Sequence, residues 1–161
     1  MEFKTGLKLA SVILASTFVL AACGSDDTTT KESTVAASSE TLQDGSYLLE
    51  EKNLDDNGWS VVFGMTVEGG KITESTYDYV NDAGELKTKD AEYQKAMKDK
   101  VGTGPAEYIP AYNQALVDAQ DPSAVEVVSG ATHSHELFVE YAQQLVDAAE
   151  EGKTETIEID N

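Results

Sequence analysis

The segment WSVVFGMTVEGGKITESTYDYV, residues 59–80, decides the fold class. Trp59, Val61, Phe63, Met65 and Val67 recur at every second position, and a period of two puts all five on one face of a β-strand. Glu68-Gly69-Gly70-Lys71 then supplies a tight hairpin turn, because adjacent glycines take positive φ without steric cost. The return run from Ile72 to Val80 is rich in Thr and Tyr, which suit a pleated, half-buried surface. Asn81-Asp82-Ala83-Gly84 breaks it. Upstream, Tyr47-Leu48-Leu49 reads as a short strand after the turn-like Asp44-Gly45-Ser46, and the alternation from Thr154 to Ile159 reads as an edge strand.

The chain between hairpin and C-terminus changes period. Residues 89–100, KDAEYQKAMKDK, read as a helix with Tyr93 and Met97 four apart, stopped by Gly102-Thr103-Gly104-Pro105. Pro110 fits the first turn of a second helix carrying Tyr112, Ala115, Leu116 and Ala119 on one side, ended by Asp121-Pro122. Val125–Val128 is expected to be a short strand. From His135 to Glu150, Leu137, Tyr141, Leu145 and Ala149 stand four apart with Phe138, Ala142 and Val146 beside them, the clearest amphipathic helix in the chain. Strands, helices, strand, helix, strand, without βαβ repetition, predict an α+β fold with a mainly antiparallel sheet packed with helices.

The N-terminal end sets the compartment. Lys4 and Lys8 precede an apolar run from Leu9 to Ala22 that is short for a membrane span and has the shape of a secretory signal. Leu20-Ala21-Ala22-Cys23 resembles the lipobox of bacterial lipoproteins, which implies a signal peptide over residues 1–22 and lipidation of Cys23. Two acyl chains hold a protein on the lipid bilayer, since each buried methylene contributes roughly 0.8 kcal/mol. Cys23 is the only cysteine, so no disulfide can form within the chain. Residues 23–43, rich in Ser, Thr, Ala, Asp and Glu, cannot bury a core and read as a disordered tether. Residues 44–161 are left as one domain.

The whole chain carries a formal charge of −19, and without residues 1–22 nine lysines face 29 acidic residues, near −20. That charge excludes nucleic acid as a partner and argues against an electrostatic grip on anionic lipid. No arginine occurs. A phosphate compound would have to be held by backbone N–H groups, a well-placed lysine or a covalent bond.

VVSGATHSHELF, residues 127–138, carries the chemistry. Gly130 allows a sharp turn, Ala131 permits close approach, and Thr132 falls at the start of a helix, where backbone N–H groups lack partners and favour an anion. Thr132 as an ordinary N-cap is the competing reading. His133 and His135 invite a metal, but residues two apart do not share a helix face. No Asp-x-Asp-x-Asp-Gly calcium loop is present, and Asn53–Gly58 reads as a solvated loop.

Ser129-Gly130-Ala131-Thr132, followed by Ser134, resembles the flavinylation signature of the FMN-binding domain family. That family includes a component of the Na+-translocating quinone reductase, electron-transport proteins of the Rnf type and small lipoproteins. Asp44-Gly45-Ser46-Tyr47 and the hairpin from Trp59 to Ile72 resemble its opening, so the likeness spans residues 44–150. It implies an FMN-binding-domain-like fold with FMN covalently linked to Thr132 by a phosphoester. Ser129, Gly130, Ala131 and Ser134 would be supporting positions, and Glu126 stands where the family has Asp. The resemblance implies as partners a separate Mg-dependent flavin transferase that uses FAD, and a membrane NADH dehydrogenase and quinone chain. It implies an extracytoplasmic electron carrier without substrate turnover of its own. Trp59, Tyr77, Tyr79, Tyr108 and Tyr112 are the candidate ring-stacking aromatics. The alternative function is a solute- or metal-binding surface lipoprotein, and residues 13–22 of the signal could also yield a peptide pheromone.

The lipobox yields a direct test. The chain should fractionate with membranes through Cys23, and Cys23→Ala should release it to the soluble fraction. A Cys23→Ala protein that stays with the membranes would show that Cys23 is not the anchor.

Overall fold

The computed structural model describes residues 41–161. The signal segment, Cys23 and the tether up to residue 40 lie outside the described residues. The expected α+β architecture is present. Four strands, β1 (Gly45–Glu51), β2 (Ser60–Glu68), β3 (Lys71–Val80) and β4 (Ile157–Ile159), form one sheet in the order β3-β2-β1-β4. Strands β1, β2 and β3 pair antiparallel, and β4 joins β1 in parallel. Helices α1 (Ala91–Val101), α2 (Pro105–Ala119) and α3 (Thr132–Glu151) follow the hairpin. No helix among the described residues is long and apolar enough to cross a membrane.

The core lies on one face of the sheet. Trp59, Val61, Phe63, Met65 and Val67 are all buried there, as their period requires. On β3 the inward residues are Ile72, Tyr77 and Tyr79. Ile72 and Tyr77 are five apart, an odd spacing that would place them on opposite faces of a regular strand. The register shift resolves this. Thr66 faces Glu74 while Val67 faces Ile72, so Thr73 is an extra residue on β3. The bulge flips the parity and lets both side chains point inward.

The exposed edge of β3 is closed by two side-chain amides of the α2 segment. Asn113 accepts from the Tyr77 N–H at 2.8 Å and donates to the Tyr77 carbonyl at 3.0 Å. Gln120 accepts from the Ile72 N–H at 2.8 Å and donates to the Ile72 carbonyl at 2.8 Å. Each amide stands in for one residue of a neighbouring strand, so the edge cannot pair with another chain there. Gln120 caps α2 in the left-handed region at φ 60°. A non-glycine residue there costs on the order of 1 kcal/mol, offset by the two bonds it makes.

Some boundaries differ from the sequence reading. Pro105, not Pro110, begins α2, and Pro110 lies inside the helix. Gly45 and Ser46 belong to β1, and the turn role falls to Asp44, whose carboxylate accepts from the Gly70 N–H. Gln43 is already docked, donating its N–H to the Ala149 carbonyl and its side-chain amide to the Glu150 carbonyl. The expected strand at 125–128 does not form. At one edge of the sheet, β3, the outward groups of Ile72 and Tyr77 are already bonded to Gln120 and Asn113; the other edge is β4.

Asn113→Ala should leave both polar groups of Tyr77 unpaired and lower the unfolding free energy by about 1–3 kcal/mol. Urea denaturation checks this; a loss below about 0.5 kcal/mol, the floor for one net hydrogen bond, would mean that water replaces the amide.

Candidate functional site

The motif is built as a turn that feeds a helix. The Ala131 N–H donates to the Val128 carbonyl at 2.9 Å, and Gly130 sits at φ +89°. A positive φ at the third residue is the signature of a type II turn, which glycine adopts freely. Space demands glycine as well. A Cβ on Gly130 would lie 2.9 Å from the carbonyl oxygen of Val101, at the end of α1.

Side chains take over the backbone groups that a strand at 125–128 would have paired. The Tyr112 hydroxyl accepts from the Val128 N–H at 3.1 Å and donates to the Ala131 carbonyl at 3.2 Å. His135 Nε2 lies 2.7 Å from the Val125 carbonyl oxygen, which makes Nε2 the protonated nitrogen, and its ring packs 5.5 Å from that of Tyr112. Two buried or half-buried side chains thus fix the segment that presents the motif.

Helix α3 then starts at Thr132. Its N-cap is Ala131, which has no side-chain acceptor, and Thr132 is the first helical residue rather than the cap. The first intrahelical bond is His135 N–H to Ala131 carbonyl. The N–H groups of Thr132, His133 and Ser134 therefore have no intrahelical acceptor. No acidic side chain occupies the first turn, so the positive end of the helix dipole is uncompensated there. Thr132 and His133 are exposed.

Beside this helix end lies a cleft of about 350 Å³. Gly130, Ala131, His133 and Ser134 of the motif line it together with Tyr79, Tyr93, Tyr108, Tyr141 and Lys87. Its volume is within the range of about 300–1,000 Å³ usual for small-molecule sites. The hydroxyls on its wall are wired together. Tyr77 donates to Tyr79 at 2.6 Å, Tyr79 to Ser134 at 3.1 Å, and Ser134 to Tyr108 at 3.2 Å. Burial raises the pKa of Tyr79 and of Tyr108 above the ordinary phenol value. Across the cleft Tyr141 donates to Glu51 at 2.7 Å, and the other Glu51 oxygen accepts from the Val61 N–H. Burial, with Glu51 second, raises the Tyr141 phenol too. These phenols stay neutral and hydrogen-bonded, which makes their part of the wall a rigid aromatic surface.

Comparison with known proteins places the chain. It is 33% identical over 122 residues to the 15 kDa lipoprotein of Treponema pallidum (strain Nichols), covering 76% of this chain and 86% of that protein. The chain belongs to the family of that lipoprotein. The crystal structure of the CPE2226 protein from Clostridium perfringens matches it with a TM-score of 0.71 at 37% identity, covering 74% of this chain and 98% of the other. No protein-family model matches the sequence.

Within this lipoprotein fold the motif residues named from sequence separate. Gly130, Ala131 and Ser134 line the cleft, and Thr132 stands between two lining residues, Ala131 and His133. Ser129 is exposed in the turn. Glu126 is exposed and opens on a different concavity, beside Tyr112, Ala115 and Val128. Of the five candidate stacking aromatics, Tyr79 and Tyr108 line the cleft, whereas Trp59, Tyr77 and Tyr112 do not. His133 and His135 diverge, one toward the cleft and one held to Val125. No group of three or more His, Cys, Asp or Glu among the described residues is arranged to hold a metal ion.

Lys87, Tyr93, Tyr141 and Glu51 also line the cleft without being marked as such by sequence, as do Asp55 and Asn57 of the segment read as a solvated loop. Tyr141 reads as helix core by its spacing, and Tyr93 as part of an amphipathic stripe. Lys87 sits in GELKTKD, residues 84–90, which looks like a solvated turn; nothing local marks it.

Gly130→Ala combines a disfavoured φ with a clash against backbone, each costing on the order of 1–3 kcal/mol. The variant should lose at least about 2 kcal/mol in thermal or urea unfolding. If it unfolds like the parent, the turn is free to rearrange and glycine is not required there.

Proposed function

We propose that this protein is a lipid-anchored, extracytoplasmic flavoprotein that carries electrons, with FMN joined through its phosphate to Thr132. The observation that carries the reading is the position of the Thr132 side chain. It is exposed, it begins α3 beside unpartnered amides, and it is flanked by residues that line a tyrosine-walled cleft. A phosphate ester at that oxygen would meet the helix N-terminus, and the attached ring would have the cleft for cover. The sequence resemblance of Ser129-Gly130-Ala131-Thr132 to a flavinylation signature supports the same assignment.

The chain's own residues divide the work. Gly130 and Tyr112 fix the turn, and the amides at Thr132, His133 and Ser134 provide donors for the phosphate. Ser134 is held between Tyr79 and Tyr108, so it orders the cleft wall and is not free to bond the phosphate strongly. Among the described residues no base is hydrogen-bonded to the Thr132 hydroxyl, and the His135 ring is bonded to the Val125 carbonyl. On this reading a separate transferase would supply the base and the Mg2+. In that reaction the Thr132 oxygen attacks the FMN phosphorus of FAD, AMP leaves, and the hydroxyl proton passes to the transferase or to water. Bound FMN supplies reversible two-electron chemistry; a membrane NADH dehydrogenase and quinone would feed it. Cys23 provides the anchor.

Co-expression with a flavin transferase should add one FMN phosphoryl group to the mass and give flavin fluorescence in the denatured protein. Thr132→Ala should abolish both. Because Thr132 is not a side-chain cap, the stability change should stay within about 0.5 kcal/mol. Thr132→Ser should retain labelling and Ser134→Ala should weaken it. Peptide mapping that finds the flavin on any other residue would overturn the assignment.

A further inference from the structure

Lys87 is the odd group in the cleft. Its residue is 5% exposed, yet no carboxylate lies within 4 Å of its ammonium among the described residues. Three rings surround it instead, with centroids at 4.2 Å for Tyr79, 4.6 Å for Tyr93 and 5.3 Å for Trp59. Such a cage attracts a cation but offers no acceptor for its three N–H donors. No fully enclosed side-chain nitrogen or oxygen among the described residues lacks a hydrogen-bond partner. The ammonium therefore keeps an opening, and the cleft it lines is that opening. Burial opposes its charge, while Asp55 and Asp78 act on it through space and favour it.

The surroundings fit a ligand with an electron-rich edge. The same cleft is walled by Tyr79, Tyr93, Tyr108 and Tyr141, which suits a flat aromatic body, and it opens beside the start of α3. The lysine is fixed from three sides, so it meets such a ligand with one geometry rather than as a flexible chain.

We propose that Lys87 is the charge partner of the flavin: its ammonium faces the N1 and C2-carbonyl edge of the ring attached at Thr132 and makes that ring easier to reduce. The inference rests on the flavin reading above. A quinol donor would give up two electrons and two protons, of which bound FMN would take both electrons and one proton while the second proton went to water. The reduced flavin would then carry one negative charge, which the Lys87 ammonium would offset. A fixed cation in a partly desolvated cleft favours that form over the neutral oxidised one. Lys87 is a positioning residue that tunes the flavin and takes no part in the covalent attachment.

The test uses the flavinylated protein and its Lys87→Met and Lys87→Arg variants, with adduct confirmed by mass and folding by circular dichroism. Spectroelectrochemical titration gives the ratio of reduced to oxidised flavin at a fixed potential. Lys87→Met should lower that ratio at least tenfold, about 30 mV for a two-electron couple, and Lys87→Arg should stay near the parent. A smaller change in fully flavinylated Lys87→Met overturns the inference and leaves Thr132 flavinylation standing. A parent chain that takes up no flavin overturns both. If Lys87→Met does not fold, the parent protein decides alone. Reductive methylation should modify Lys87 in the flavin-free form and spare it in the flavinylated form, and equal modification of the two overturns the inference.

Discussion

The ring of Phe138 ties the domain together. It lies 5.1 Å from Phe63 on β2, 5.1 Å from Tyr77 on β3 and 5.4 Å from Tyr112 on α2. One side chain of α3 thus touches both strands of the hairpin and the helix that closes the sheet edge. Aromatic pairs of this kind contribute roughly 0.5–1.5 kcal/mol each beyond their buried area. The consequence reaches beyond stability. Phe138 is less than two turns from Thr132, so clamping its ring fixes where α3 starts and where its first amides point. The bulge at Thr73 belongs to the same arrangement, because it lets β3 present Tyr77 to Phe138 while keeping Ile72 in the core.

Charge is distributed to the same end. A chain this acidic repels anions over most of its surface. Two features that oppose this lie at one cleft: the uncapped start of α3 and the caged ammonium of Lys87. Neither depends on arginine. The helix end works through backbone amides that substitution cannot remove, and the lysine is held by aromatic faces instead of by a carboxylate that would cancel its charge.

The hairpin is legible in the sequence because period two and a Gly-Gly turn are local signals, and α3 because its apolar residues recur every four. The mainly antiparallel pairing is also expected from sequence; the order β3-β2-β1-β4, with β4 parallel to β1, is not. What sequence alone does not carry is non-local. Val125–Val128 has β-like composition, but its backbone is bonded by the side chains of Tyr112 and His135 instead of by a neighbouring strand. Pro110 looks like a helix start because the sequence does not say that Pro105 can serve. Thr132 looks like a cap, while the turn through Gly130 moves the cap position to Ala131. The motif itself is visible in sequence, but its wall is only half visible. Tyr79 and Tyr108 stand out as candidates; Lys87, Tyr93 and Tyr141 come from three separated segments, and only the folded sheet brings them to one cleft.

The shape of the cleft bears on why attachment would be covalent. At about 350 Å³ it is at the small end for a ligand site. Three of its four phenols, Tyr79, Tyr108 and Tyr141, are already bonded to Tyr77, Ser134 or Glu51, which leaves those hydroxyls little to offer a ligand. A free nucleotide would gain little there to offset the loss of its translational and rotational freedom. The covalent link proposed at Thr132 would settle that loss once, during assembly, and would leave the cleft only the task of covering and tuning a ring that cannot leave. Rigid tyrosines and a caged lysine suit that task better than they suit capture of a diffusing ligand.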